Sequence, residues 1–369
     1  LKKKKKVPRG NKFKNFFSYI LYLFIIIEIF SIAVVNSSYW TGTLPTYQLQ
    51  NKFFFEDIDE NIGSWHRSKI KYRHSKSCFD ATYLTNSHGM KDVERSLNSN
   101  DYRVVMLGDS MVEGYGLSNR HTIGSNLESI SNKEYLNFGT SGHFGSTQFY
   151  LAYKHIASKF THNEVYVFIT PWNDFEDDSY KFGKEYHNLR YRPYHVEKDG
   201  KYQLVYHNNA YLKKSQNSTK QLLSSYFSTY HIVKHFYKLY KSILYRSNID
   251  AQVELRSGYF DFNEKQFSLL QYNLNLLRSE TEKNNSKFKI FLIPTLADYE
   301  VAESRSLLKR KTPLYLKLKE RFPDDFVYDL FVPLIELEKN YKELYLSCDG
   351  HFNKYGARLI AKLVNDSDK

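Results

Sequence analysis

Five short runs rich in β-branched and aromatic residues, at 102–107, 135–138, 165–170, 288–293 and 326–330, punctuate the chain. Between and after them lie stretches of helical period at about 121–131, 146–160, 263–284, 302–321 and 353–364. Strands that are apolar on both faces and alternate with helices predict an α/β fold, a parallel sheet covered on both sides. In such open sheets ligands gather beyond the carboxyl ends of the strands. A chain of 369 residues with 41% hydrophobic content can bury one large core, and one main domain is expected.

The N-terminus is separate in character. Lys2 to Lys6, Arg9, Lys12 and Lys14 precede an apolar run at 16–35 whose clearly polar members are Ser18, Glu28 and Ser31. At ~1.5 Å per residue this run just crosses a bilayer core of about 30 Å. It is longer than the apolar region of a cleaved signal peptide, so an uncleaved transmembrane signal anchor is expected, single-pass. With 1–15 as a basic cytoplasmic flank, everything after residue 40 or so lies on the periplasmic or extracytoplasmic side. Eight of the thirteen net positive charges belong to this flank, which leaves five for the rest of the chain. No basic cluster then remains for nucleic acid, and no nucleic-acid partner is expected. The membrane is the partner implied.

Two cysteines, Cys78 and Cys348, exclude both a Cys-x-x-Cys metal site and a dense disulfide framework. In an exported chain an even pair either forms a bridge or stays as two buried thiols, and both readings stand.

An insertion at 175–262 interrupts the strand–helix rhythm. "HVEKDGKYQLVY" reads as a hairpin about Asp199-Gly200. "TKQLLSSYFSTYHIVKHFYKLYKSILY" carries apolar residues at 223, 226, 230, 233, 237, 240 and 244, a helical stripe with Lys234, Lys238 and Lys241 on another face. Such a helix packs on the domain, or serves as a lid or membrane-surface element.

The first strand runs into a turn, "VVMLGDSMVEGYG", at 104–116. Five residues between Gly108 and Gly114, with no Lys-Ser/Thr following, exclude a phosphate loop, and Asn119 stands where a dinucleotide fingerprint needs glycine. Val112 breaks the nucleophile-elbow pattern. What remains is Ser110 just past a buried strand. The other strand ends add matching parts: the backbone N–H of Gly142 in "NFGTSGHFGSTQ", the side-chain amide of Asn173 in "ITPWNDF", and Asp349 and His351 in "SCDGHFNKYG". A serine, a backbone donor, an amide donor and a His/Asp pair are what acyl-transfer chemistry requires. Asp109 and Asp174 read as structural acceptors under the turns, and His143 as a substrate contact or an exposed loop residue.

This set, in this order, resembles the SGNH or GDSL hydrolase superfamily over roughly 83–364. The resemblance implies a flavodoxin-like three-layer α/β/α sandwich with a five-stranded parallel sheet. It also implies Ser110 as nucleophile, an oxyanion hole from Ser110, Gly142 and Asn173, and Asp349 and His351 completing the catalytic set, with no cofactor and no metal. Residues 36–100, containing "YLTNSHGMKDVERS", look like the leader segment of membrane-tethered members packing on a catalytic domain at 101–369. One block departs from the usual pattern, since a single residue, Gly350, separates Asp349 from His351 where two are usual. In an extended loop positions i and i+2 face the same way, so both side chains still reach the cleft. A similar Asp-x-His spacing occurs in alginate O-acetylation proteins, where the pair precedes the serine. The function implied is a membrane-anchored serine esterase acting on O-acyl, chiefly O-acetyl, esters of envelope glycans or lipids. The alternatives are an O-acyltransferase of cell-surface polysaccharide with the same site, and a non-catalytic glycan-binding protein.

Overall fold

The computed structural model describes residues 9–36, 55–76, 78–186, 192–206, 219, 223, 226–246, 256–323 and 326–367. Eleven strands are formed among them: β1 (Phe55–Asp59), β2 (Gly63–His66), β3 (Lys71–Lys76), β4 (Phe79–Leu84), β5 (Arg103–Gly108), β6 (Glu134–Gly139), β7 (Glu164–Ile169), β8 (Tyr194–Lys198), β9 (Lys201–Val205), β10 (Lys287–Leu292) and β11 (Val327–Asp329). The helices are α1 (Arg9–Asn36), α2 (Ser110–Glu113), α3 (Ile123–Ile130), α4 (Ser146–His155), α5 (Pro171–Asp177), α6 (Tyr180–Tyr186), α7 (Ser228–Arg246), α8 (Glu264–Lys283), α9 (Leu296–Ser304), α10 (Pro313–Lys319), α11 (Phe331–Leu337) and α12 (Lys354–Asp366).

Five strands form one parallel sheet in the order β11-β10-β7-β5-β6. Read in chain order this is the 2-1-3-4-5 arrangement of doubly wound folds, with its switch point between β5 and β7. Every residue of β5 and β7 is buried, as expected of strands covered on both faces. Helix α3 packs with α12 and α4 with α8, and these pairs flank the sheet. The α/β sandwich expected from the alternation is the fold observed.

The stretch at 302–321 is not the single helix its period suggests. It is divided: α9 ends at Ser304, after which the chain turns through Ser306 at φ 58°, and Pro313, with no N–H to donate, starts α10 at its first position with Thr312 capping. The region before the sheet holds two hairpin-like pairs, β1 with β2 and β3 with β4. In the insertion, β8 and β9 pair about Asp199 and Gly200, both at positive φ (51° and 73°), as a tight hairpin turn demands. Helix α1 contains one segment long and apolar enough to cross a membrane, Lys14–Val35, with mean hydropathy 2.4 and only 11% of its most apolar window buried.

Candidate active site

The end of β5 delivers Ser110 to the switch point. Asp109 caps α2 by accepting from the Met111 N–H at 2.9 Å, and Ser110 occupies the first helical position. The turn then reverses at Gly114, whose φ of 79° is left-handed and whose N–H returns to the Ser110 carbonyl at 3.1 Å. Strand β6 approaches so closely that a Cβ on Gly139 would stand 2.2 Å from the Glu113 nitrogen. That contact fixes the turn from behind.

Residues before the sheet brace the same turn. Buried Lys91 donates to the carbonyls of Gly114 (2.6 Å) and Leu117 (2.7 Å). Burial lowers its pKa to about 7, against the pull of Glu113. Glu113, also buried, lies 3.3 Å from His66 Nε2 and accepts from the Ser141 N–H. Burial would raise the Glu113 carboxyl, but His66 and Lys91 outweigh it and hold it below its ordinary value.

His351 Nε2 lies 2.7 Å from Ser110 Oγ, and its Nδ1 contacts Asp349 Oδ1. The tautomer that satisfies both contacts has Nδ1–H donating to the carboxylate and Nε2 accepting the serine proton. Asp349 Oδ1 also accepts from the His351 backbone N–H at 3.3 Å. The loop carrying the pair is not extended. It is a tight turn closed by a Tyr345–Phe352 bridge, with the Leu346 N–H donating to the His351 carbonyl at 2.8 Å and the Asp349 N–H to the Leu346 carbonyl at 3.0 Å. The short Asp-Gly-His spacing therefore works by curling the carboxylate onto its own histidine. A disulfide joins Cys348, next to Asp349, to Cys78 on the β3–β4 turn. Tyr115 stacks on the His351 ring at 4.2 Å between centroids and 24° between planes, and His74 meets the Tyr115 ring edge-on at 4.7 Å.

Asn173 is carried by α5 from the end of β7. Its Nδ2 donates to Asp109 Oδ2 (3.1 Å) and to Asp177 Oδ2 (3.2 Å), so both amide protons are engaged. Asp109 also accepts from Thr170 Oγ1 at 3.2 Å, the structural part expected of it. Asp174 accepts from the Thr170 N–H at 2.8 Å, and burial followed by repulsion from Asp109 raises its pKa well above the ordinary value. Burial lifts Asp177 to about 7, with Arg192, 3.4 Å away, pulling the other way.

A cavity of about 700 Å³ is lined by Ser110, Asn173, Asp349 and His351, together with Tyr115, Ser141, His143 and Asp177. Gly142 itself does not line it. Gly142 is buried against β2, where a Cβ would stand 2.9 Å from Ser64 Cβ, and its neighbours Ser141 and His143 face the cavity instead. Among the described residues none accepts from the N–H of Ser110 or of Gly142. His143 is strained at φ 57°, and its Nδ1 stands 3.8 Å from Asp177. Three participants went unread in the sequence: Tyr115, Asp177 and the Lys91–Glu113–His66 group. Only Asp177 carried a local signal, standing four residues after Asn173 on one helix face.

No family model matches the chain, and no curated protein matches it. Among solved structures it is similar to a protein described as a putative lipolytic protein of the G-D-S-L family from Desulfitobacterium hafniense DCB-2, at 14% identity over 72% of this chain and 99% of that one, with a TM-score of 0.35. It is also similar to the lipase/acylhydrolase from Enterococcus faecalis, at 13% identity over 71% of this chain and 93% of that one, with a TM-score of 0.35. Similarity at this level carries no functional weight; the residues at the cavity do.

Proposed function

We propose that this chain is a serine ester hydrolase of the SGNH type, held to a membrane by α1 and acting on O-acyl esters, chiefly O-acetyl, of envelope glycans or lipids on the extracytoplasmic side. The observation that carries the reading is the continuous Ser110–His351–Asp349 contact at the cavity wall. In this reading Ser110 Oγ attacks the ester carbonyl while its proton passes to His351 Nε2, and Asp349 holds the tautomer and stabilises the imidazolium. His351 then returns the proton to the departing alcohol, leaving an acyl-serine. Water, deprotonated by the same histidine, attacks that ester and frees the carboxylic acid and Ser110.

The oxyanion is assigned to the Ser110 N–H and the Asn173 amide, together with the Gly142 N–H, which reaches the cavity only through the peptide it shares with the cavity-lining Ser141; neither N–H is engaged by a described residue. Each such donor lowers the barrier by about 2.7–4 kcal/mol. Because both Asn173 protons are held by carboxylates, one of those bonds must be exchanged for the oxyanion when substrate enters. A leader segment at 36–100 bracing a catalytic domain at 101–369 is part of the same proposal. Hydrolysis of p-nitrophenyl acetate by the wild-type chain and by Ser110→Ala tests it: activity is expected in the first and absent in the second, and equal activity in both rejects the site. Acetyl appearing on an added oligosaccharide, with none released as acetate, would instead assign the same residues to O-acyl transfer.

A further inference from the structure

The apolar stripe of α7 faces outward. Val233, Phe236, Tyr237 and Tyr240 are 61%, 59%, 56% and 60% exposed, while Ser228 and His231, from the opposite side of the helix, are buried. At 3.6 residues per turn these four fall on one arc. A helix packed on a water-soluble domain shows the reverse.

Its partner is α1. Glu28, the sole acidic residue between Lys14 and Val35, accepts from the Ser228 N–H, from the Thr229 N–H at 3.1 Å and from Thr229 Oγ1 at 2.7 Å, and Thr229 Oγ1 also reaches Ser31 Oγ at 3.0 Å. Phe24 meets Phe227 edge-on at 5.6 Å. These contacts explain an otherwise costly residue. A carboxylate in an apolar span needs donors, and the first N–H groups of a helix, at the positive end of its dipole, supply them. Glu28 precedes Val35 by seven residues, about 10 Å along the helix axis. The N-terminus of α7 therefore meets α1 about 10 Å from one end of the apolar span, within the depth of about 5–10 Å to which surface-lying amphipathic helices bury their apolar face.

We propose that α7 is an interfacial helix that seats Val233, Phe236, Tyr237 and Tyr240 in the acyl–headgroup boundary of the bilayer α1 enters, with Glu28 as the joint that sets its depth. The inference rests on reading α1 as a membrane anchor. Lipid is the occupant because the face continues from α1, whose surface is itself exposed along most of its length, and because tyrosine, with an apolar ring and a polar tip, suits that boundary. Lys234, 5.8 Å from the Tyr230 ring, places a cation at the flank of the face, where anionic headgroups lie.

The test uses the full chain in vesicles of phosphatidylcholine and phosphatidylglycerol carrying a nitroxide at carbon 5 or carbon 12 of the acyl chain. Tryptophan is introduced singly as Tyr237→Trp, Tyr240→Trp or, in the anchor, Ile25→Trp, and quenching is read against the wild-type background. The α7 positions are expected to be quenched about twofold more by the shallow label than by the deep one, and position 25 more by the deep label. Glu28→Ala is expected to remove at least about half of the shallow quenching at 237 while leaving position 25 unchanged. Quenching at 25 with none at 237 or 240 overturns the inference and leaves the anchor standing; none at any position overturns both. Shallow quenching at 237 that survives Glu28→Ala unchanged removes Glu28 as the joint. Cross-linking between copies at 237, without quenching, would assign the face to a second copy and also overturn it.

Discussion

His351 Nε2 stands 2.7 Å from Ser110 Oγ although 241 residues separate them in the chain. Two independent constructions bring them together. Ser110 is fixed by the end of a wholly buried strand and the α2 turn, His351 by a loop closed through the Tyr345–Phe352 bridge and tied by Cys348 to the β3–β4 turn. The contact is thus a meeting of two separately built edges, and substitutions of the side chains that meet there, Ser110 and His351, are expected to change rate more than fold.

Asn173→Ala removes the amide that joins Asp109 to Asp177. If that amide also serves the oxyanion, kcat on p-nitrophenyl acetate is expected to fall about 10²–10³-fold with KM little changed. A loss confined to KM would assign Asn173 to binding alone.

Tyr115 positions the imidazole by stacking and is itself met edge-on by His74. Tyr115→Phe keeps the ring face and is expected to retain activity. Tyr115→Ala is expected to lower kcat several-fold, consistent with about 0.5–1.5 kcal/mol for an aromatic pair. Equal loss in both variants would point to the hydroxyl and not to the stack.

The Cys78–Cys348 bridge closes a loop of 270 residues, long enough for a large effect on the unfolded chain. Replacing both cysteines by alanine is expected to lower unfolding free energy by about 2–5 kcal/mol. It is also expected to lower kcat, since Cys348 adjoins Asp349. Chemical denaturation and steady-state kinetics on the same preparation read both effects.

Asp177 gives a pH signature. Its folded-state pKa, about 7, lies above the ordinary 3.8 because burial penalises the charge. A carboxyl shifted upward contributes stability below its unfolded pKa and loses it as pH rises through the folded one. The stability of wild type minus that of Asp177→Asn is therefore expected to decline between about pH 4 and 7 and to level above that, by on the order of a few kcal/mol in all. Taking the difference removes the titration of every group common to the two proteins, while the attraction of Arg192 stays in it as one of the causes that set the value of about 7. A flat difference across that range would contradict the assignment.

The parallel sheet was legible because each strand is a short run rich in apolar residues, wholly buried in β5 and β7, a pattern that depends on no distant contact. Helix boundaries at 121–131, 263–284 and 353–364 were legible to within two residues, whereas period alone misled at 146–160, where α4 ends at His155 and a 3-10 turn at Ala157–Lys159 follows, and at 302–321, which is two helices. Strand β2, Gly63–His66, escaped because all four of its residues are buried by packing on the sheet domain, including the polar Ser64 and His66, so no alternation remained to read. At the candidate site, Ser110 and Asn173 were legible as residue types at strand ends, and Asp349 and His351 as a pair just before the last helix. Gly142 was legible as a glycine, but not its packing on Ser64. The Tyr115 stack and the Lys91 brace depend on tertiary approach and left no local pattern. The extended-loop argument placed Asp349 and His351 at the cleft, but the loop is curled, and it is this curl, not an extended i to i+2 alignment, that sets the carboxylate on the imidazole.

The most direct test of the central claim is covalent labelling of the full chain with a fluorophosphonate, followed by peptide mass spectrometry. The expected result is one adduct on the peptide containing Ser110, lost in Ser110→Ala and strongly slowed in His351→Ala. An adduct on a different residue, or none from a preparation that hydrolyses p-nitrophenyl acetate, would contradict the assignment of Ser110 as nucleophile.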